Sequence, residues 1–115
     1  MDEKILEEAQ RRISGCDYIV DLFDLKYVWA SEHASLVIGF SVEEILEKRV
    51  LDLVVENESA YRKELLERMI KGQGVAELVI RRKDGVNVSL TIQYCMFEMD
   101  GGQYSVGKIT ASREV

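Results

Sequence analysis

Few side chains in this sequence have types and spacing suited to chemistry. His33 is the single histidine, and an imidazole can ligate a metal or act as a base near neutral pH. No second His or Cys stands at ligand spacing from it, so it reads as a surface or helix-capping residue, and no metal site is expected. Cys16 and Cys95 lie far apart without C-x-x-C spacing and read as reduced thiols of a reducing compartment. Trp29 is large enough to stack on a planar ligand from its strand or to fill the core, two uses that overlap in an apolar pocket. Tyr61, Met69, Tyr94 and Met96 carry hydroxyls and thioethers that suit ligand contact, and a Met-containing core uses the same residue types. There is no Ser/His/Asp or Cys/His set, no glycine-rich phosphate loop behind a strand and no carboxylate pair in a recognisable motif, so no catalytic residue is assigned. An acid or base inside a small cone-shaped α+β pocket, as in an isomerase, would have to be Asp21 or Tyr94.

The hairpin from Val75 to Met99 is the element that must position Tyr94, Cys95 and Met96. Its second arm alternates, with Val86, Val88, Leu90, Ile92, Tyr94 and Met96 on one side and Asn87, Ser89, Thr91, Gln93 and Cys95 on the other, the pattern of a half-buried strand. A two-residue turn at Asp84-Gly85 would set Leu78 and Ile80 on the face of Thr91 and Ser89. A three-residue loop, Lys83 to Gly85 with Gly85 left-handed in a bulge, instead sets Ile80 opposite Val88, Leu78 opposite Leu90 and Ala76 opposite Ile92.

Upstream, Ile5, Leu6, Ala9 and Ile13 recur at helical spacing over residues 2–14, ahead of Gly15. Residues 18–23 and 26–30 are β-branched and aromatic runs that predict a second hairpin. Ser31 and Gly39 bracket a short helix, and Ser41 with Glu44 forms a capping box that Phe40 can staple onto Ile45. Val50 to Val55 is apolar and of undecided type. Asn57 opens a longer helix ending at Gly72, with Tyr61, Leu65, Leu66, Met69 and Ile70 taken as one face. Glu58 with Arg62, Glu64 with Arg68 and Glu67 with Lys71 are i,i+4 pairs that read as its solvated face. Tyr104 to Thr110 is the last predicted strand. Helices lying between two hairpins predict an α+β domain, an antiparallel sheet with helices on one face.

At 115 residues, 47% hydrophobic and 31% charged, the chain suits one domain with a modest core. The net charge of -6 argues against nucleic acid or an anionic membrane as partner, since both require clustered Lys and Arg. No apolar run approaches the roughly 20 residues needed to span a bilayer, and the N-terminus lacks a signal-peptide core, so a cytoplasmic protein is expected.

Gly39-Phe40-Ser41-Val42-Glu43-Glu44-Ile45 followed by Arg81-Arg82-Lys83-Asp84-Gly85 resembles the PAS domain of bacterial and archaeal signalling proteins over about residues 16–112. In that family a G-[YF]-S-x-E-E-[LI] run opens a connecting helix, and R-[RK]-K-D-G turns between the third and fourth strands. The resemblance implies a five-stranded antiparallel sheet in the order 2-1-5-4-3, with a pocket between sheet and helices that holds haem, flavin, a small metabolite or nothing. Members often end on Asp-Ile-Thr, which couples the last strand to an effector, where this chain has Lys108-Ile109-Thr110. The long helix has no His, and no Cys lies between Gly39 and Leu53. Histidine-ligated haem and a covalent flavin adduct are therefore not expected, while non-covalent flavin and small metabolites stay open.

The candidate pocket comprises Trp29, Tyr61, Leu65, Met69, Leu78, Ile80, Leu90, Ile92 and Tyr94. The outer face of the fourth strand, with Phe97 and Val79, needs a cover, and Ile5, Leu6, Ala9 and Ile13 can supply it from the same chain or a second copy. In PAS-like proteins such an N-terminal helix commonly mediates dimers, so a homodimer is expected, and deleting residues 1–14 is expected to leave a folded monomer. The division expected is 1–15 as cap or dimerisation helix, 16–112 as PAS-like domain and 113–115 as the start of a linker. The function expected is a sensory or signal-relay module, part of a histidine kinase or similar protein, acting on an effector domain or partner, and not an enzyme. The alternative is a ligand-free protein-interaction domain.

Overall fold

The computed structural model describes residues 2–115. Capping residues set where each helix begins. Asp2 accepts from the Lys4 N–H at 2.9 Å to open α1 (Glu3–Arg12). Ser31 accepts from Ala34 N–H at 3.0 Å to open α2 (Glu32–Ile38), which Gly39 ends in a left-handed conformation. Ser41 and Glu44 exchange both bonds of a capping box around α3 (Val42–Ile45). Asn57 caps α4 (Glu58–Lys71), and within the undecided segment Val50 to Val55, Val50–Asp52 forms one 3-10 turn between α3 and α4.

The strands are β1 (Tyr18–Asp21), β2 (Lys26–Ala30), β3 (Gln73–Arg81), β4 (Asn87–Met99) and β5 (Gly102–Glu114). They form one antiparallel sheet in the order β2-β1-β5-β4-β3. The β3–β4 hairpin has the register expected from its hydrophobic pattern, with Ile80 opposite Val88, Leu78 opposite Leu90 and Ala76 opposite Ile92. The Gly85 N–H donates to the Arg82 carbonyl at 2.9 Å, the Arg82 N–H to the Val86 carbonyl at 2.9 Å, and Gly85 has φ +88°. That is the three-residue loop with its bulge.

Three sequence expectations change. β5 does not stop at Thr110: β4 offers backbone partners as far as Asn87, so Arg113 and Glu114, expected in a linker, pair with Ser89 and Val88. β1 ends at Asp21, and Leu22 to Leu25 form the turn, with Phe23 fully exposed. On α4 the inward stripe is Tyr61, Leu65 and Arg68, while Leu66 and Ile70 are exposed. At 3.6 residues per turn Ile70 falls about 180° from Tyr61, whereas Arg68 falls about 20° from it, so geometry overrides hydropathy.

Two apolar clusters sandwich the sheet. The inner one joins α2, α3, α4 and the 3-10 turn to the sheet through Ile38, Ile45, Leu53, Ile80 and Ile92. The outer one packs Ala9 and Ile13 of α1 against Ile19, Cys95, Phe97 and Val106.

Candidate functional site

Between α4 and the sheet lies a cavity of about 30 Å³, enough for roughly two waters or a ligand of a few atoms. α4 contributes Tyr61, Leu65 and Arg68 to its wall. β1 and β2 contribute Tyr18, Val20 and Tyr27; β3 and β4 contribute Leu78, Ile80, Leu90, Ile92 and Tyr94; Ser105 and Ile109 come from β5. Leu22, Ile38 and Val50 close it. The wall is mostly apolar, with tyrosine hydroxyls, one serine and one guanidinium as its polar groups.

Glycines make room for the tyrosines. Gly107 pairs with both Tyr18 and Tyr94, and a methyl there would fall on the Tyr18 ring. Gly74 lies opposite Tyr94, and a Cβ there would come 3.2 Å from the Tyr94 hydroxyl. The Tyr18 and Tyr27 rings meet edge to face at 6.0 Å. Burial pushes the phenols of Tyr18, Tyr27 and Tyr61 up, so all three are neutral hydrogen-bond donors at physiological pH.

Arg68 is only 9% exposed. Its guanidinium sits 5.5 Å above the Tyr61 ring, and Nη2 lies 3.6 Å from Glu64 Oε2, longer than a charge-assisted hydrogen bond.

Of the nine pocket residues named from sequence, Tyr61, Leu65, Leu78, Ile80, Leu90, Ile92 and Tyr94 converge on the cavity, and Trp29 and Met69 do not. The register shifts between Ile19 and Val20, so Trp29 pairs with Ile19 while Tyr27 pairs with Val20. The extra residue, Val28, turns Trp29 to the outer face, where it packs on the α1 cluster, and leaves Tyr27 inside. Met69 lies past the inward stripe of α4, in a shallow groove with Met96 and Gln103. Sequence reasoning missed Tyr18, Tyr27, Ser105 and Arg68. Alternation along β1 would have supplied Tyr18 beside Val20, but Arg68 carried only the signal of a solvated ion pair.

The dimerisation candidates are spent largely inside the chain. Ala9 and Ile13 are buried, Ile5 and Leu6 partly so, and Phe97 lies beneath them. Arg12 holds its guanidinium 5.3 Å over the Phe97 ring and 3.7 Å from Cys95 Sγ. Val79 stands apart, partly exposed on β3. Cys16 and Cys95 are both free. His33 Nδ1 is 3.0 Å from the buried carboxylate of Asp17, which also accepts from Ser31 Oγ and from the Ile109 N–H, each at 2.7 Å. This is a structural tie of α2 to β1 and β5. Among the described residues no group of three or more metal-ligating side chains converges, and no helix is long and apolar enough to cross a membrane. Asp21 accepts from the Phe23 N–H at 2.9 Å in the β1–β2 turn and does not reach the cavity with Tyr94.

No family model and no curated protein matches the chain. Solved structures do. A PAS domain from a two-component sensor histidine kinase superposes with a TM-score of 0.72 at 14% identity, covering 100% of both chains. The PAS domain of an HTR-like protein from Haloarcula marismortui gives 0.68 at 19% identity, over 98% of this chain and 97% of that one. The blue-light photoreceptor Aureochrome1 LOV, in its dark structure, gives 0.65 at 20% identity, over 96% and 82%. The fold is the PAS fold.

Within this PAS fold the two stretches that carried the sequence resemblance touch each other. Lys83 Nζ, at the hairpin tip, lies 2.8 Å from Glu44 Oε2, and the Lys83 N–H donates to the Ile38 carbonyl at 3.3 Å. Lys108, standing where PAS domains often carry Asp, lies on β5 with its amine against Gly15, in the turn that follows α1.

Proposed function

We propose that this chain is a sensory or signal-relay module of a signal-transduction protein, a histidine kinase being the leading class, in which occupancy of the α4–sheet cavity acts on an attached or partner effector. The observation that carries this reading is the cavity itself. Its wall is mostly apolar with a few convergent polar groups, Arg68, Ser105 and the tyrosine hydroxyls, the kind of lining that small-molecule sites share. The cavity also touches the elements a signal must cross. The Met96 N–H donates to the Gly72 carbonyl at the end of α4 at 2.7 Å, and β4 pairs along its length with β5, which runs to Glu114. A ligand that shifts α4 therefore loads β4 and β5 directly.

The size of the cavity favours a small metabolite over a non-covalent flavin, whose tricyclic ring would need the cavity to expand. The reading places the module in the cytoplasm, without catalysis of its own, and includes a homodimer, for which Ile5, Leu6 and Val79 keep exposed surface. Native mass spectrometry and absorbance of the protein as purified, followed by a thermal-shift screen of small metabolites, test it. A bound mass or a reproducible rise in Tm is expected.

The alternative, a ligand-free interaction domain, draws on the exposed Leu66, Ile70 and Val75 around α4 and β3. A chain that binds no small molecule in either experiment would favour that alternative.

A further inference from the structure

β3 forms one edge of the sheet, and half of that edge has no neighbour. The Val55 N–H donates to the Val79 carbonyl at 3.0 Å and the Arg81 N–H to the Leu53 carbonyl at 2.9 Å, so residues 53–55 strap the C-terminal half of the strand. These bonds also fix which backbone groups point away from β4. By the alternation of an antiparallel ladder, Val75 and Glu77 turn their N–H and C=O groups the same way as Val79. Among the described residues no hydrogen bond meets them there. β2, at the opposite edge, is bridged by the Lys48 carbonyl and the Val50 N–H. An open edge is ordinarily blunted by Pro, a bulge or a cover. This chain has no Pro, the β3–β4 register runs without a shift, and Val75 in the open stretch is 71% exposed.

The ground beside the open edge is acidic. Glu64 and Glu67 of α4 and Glu77 of β3 line a groove with Val75, and the groove continues past Glu64 and Glu77 to Glu56. Two cations, Arg68 and Lys71, share it with these four carboxylates. Arg68 lies 3.6 Å from Glu64, while Glu67 and Glu77 enter no ion pair among the described residues. Burial first, and Glu64 next, push the Glu56 carboxyl up, a cost that a cation entering the groove would relieve. Two copies of this chain joined edge to edge would bring the carboxylates together, and like charge opposes that pairing. A basic strand meets the same edge with opposite charge.

We propose that residues 73–77 dock an extended segment of a partner protein, in which Lys or Arg alternates with β-branched residues, as a further strand of the sheet. The alternation follows from the pleat. Side chains on the helix side of the added strand meet Glu64 and Glu67, and those on the other side lie beside Val75. The docking edge goes beyond the sensory reading, since it needs no ligand in the cavity. It also leaves Ile5 and Leu6 to the homodimer of that reading.

A capped, labelled peptide of about seven residues alternating Lys with Val, titrated with the full chain and followed by fluorescence anisotropy, tests the proposal. One control peptide has Glu in place of Lys, and a second has Pro in place of Val, which keeps the charge and blocks the backbone donors. The Lys–Val peptide is expected to bind saturably, more tightly than either control by a factor of about ten or more. In 1H–15N NMR with the unlabelled peptide, the amides of Val75 and Glu77 are expected to move most. Val75→Pro removes only an N–H that β4 does not use, so the ladder persists and binding is expected to fall by a factor of about ten or more. Glu64→Gln combined with Glu67→Gln is expected to weaken binding about fivefold. Absence of saturable binding, a control peptide that binds equally well, shifts that spare Val75 and Glu77, or undiminished binding by a folded Val75→Pro protein each overturns the proposal. The control peptides decide the matter even where that variant does not fold. Failure here is separate from failure of the sensory reading: a chain that binds a metabolite and not the peptide loses the docking edge and keeps the sensor.

Discussion

The carboxylate of Glu44 accepts from the Ser41 N–H of its own capping box and from Lys83 Nζ at the tip of the β3–β4 hairpin. The Lys83 hydrogen bond first, and the Ser41 backbone second, hold its pKa down at about 2, against an ordinary value of 4.5. A carboxylate whose pKa is lower in the folded state contributes stability that is complete above about 4.5 and is lost as pH falls toward 2. Urea titrations are therefore expected to show wild type losing stability more steeply than Glu44→Gln across that window, and parallel profiles would contradict the tie. Gly107 is a second site where one residue matters. A methyl there meets the Tyr18 ring, and overpacking of this kind costs about 3 kcal/mol. Gly107→Ala should lower the urea midpoint accordingly; an unchanged midpoint would mean that Tyr18 swings aside without cost.

At the scale of elements, α1 takes one of the two uses its sequence left open. The amphipathic stripe was open to use by the same chain or by a second copy, and the structure uses it within the chain. Removing residues 1–14 uncovers Ile19, Cys95, Phe97 and Val106 on the sheet. Ala9 and Ile13 are buried and Ile5 and Leu6 partly buried, which at 1.5–3 kcal/mol for a fully buried large side chain amounts to roughly 5 kcal/mol. Such a loss is a large fraction of a small domain's stability. The truncated chain is thus expected to unfold at much lower urea or to aggregate, rather than to persist as the folded monomer that the family resemblance suggested. A cooperative unfolding curve matching full length would refute this. The hairpin illustrates the opposite case: its register was legible because a one-residue slip would have turned every apolar side chain to the wrong face.

For the whole molecule, association of two copies is the remaining question, and multi-angle light scattering of the full chain answers it. A dimer is expected under the proposed function, formed through surface that α1 and β3 leave open; a monomer at high concentration would remove the homodimer from that reading. Much of the architecture was present in local patterns. The caps at Ser31, Ser41 and Asn57, the bulged turn at Gly85 and the alternation of β4 are set by residues within a few positions of one another, where backbone hydrogen bonding and side-chain period leave few choices. The strand order came from family resemblance, since periodicity does not say which strands are neighbours. What only the tertiary structure decided concerns faces and charge. One extra residue at Val28 moved Trp29 across the sheet, the angular position of Arg68 on α4 put a cation where hydropathy placed Met69 and Ile70, and two glycines opened space for tyrosine rings. Each depends on how distant segments meet, and burial in the cavity wall sets Arg68 apart from the solvated ion-pair partner that its i,i+4 pattern described.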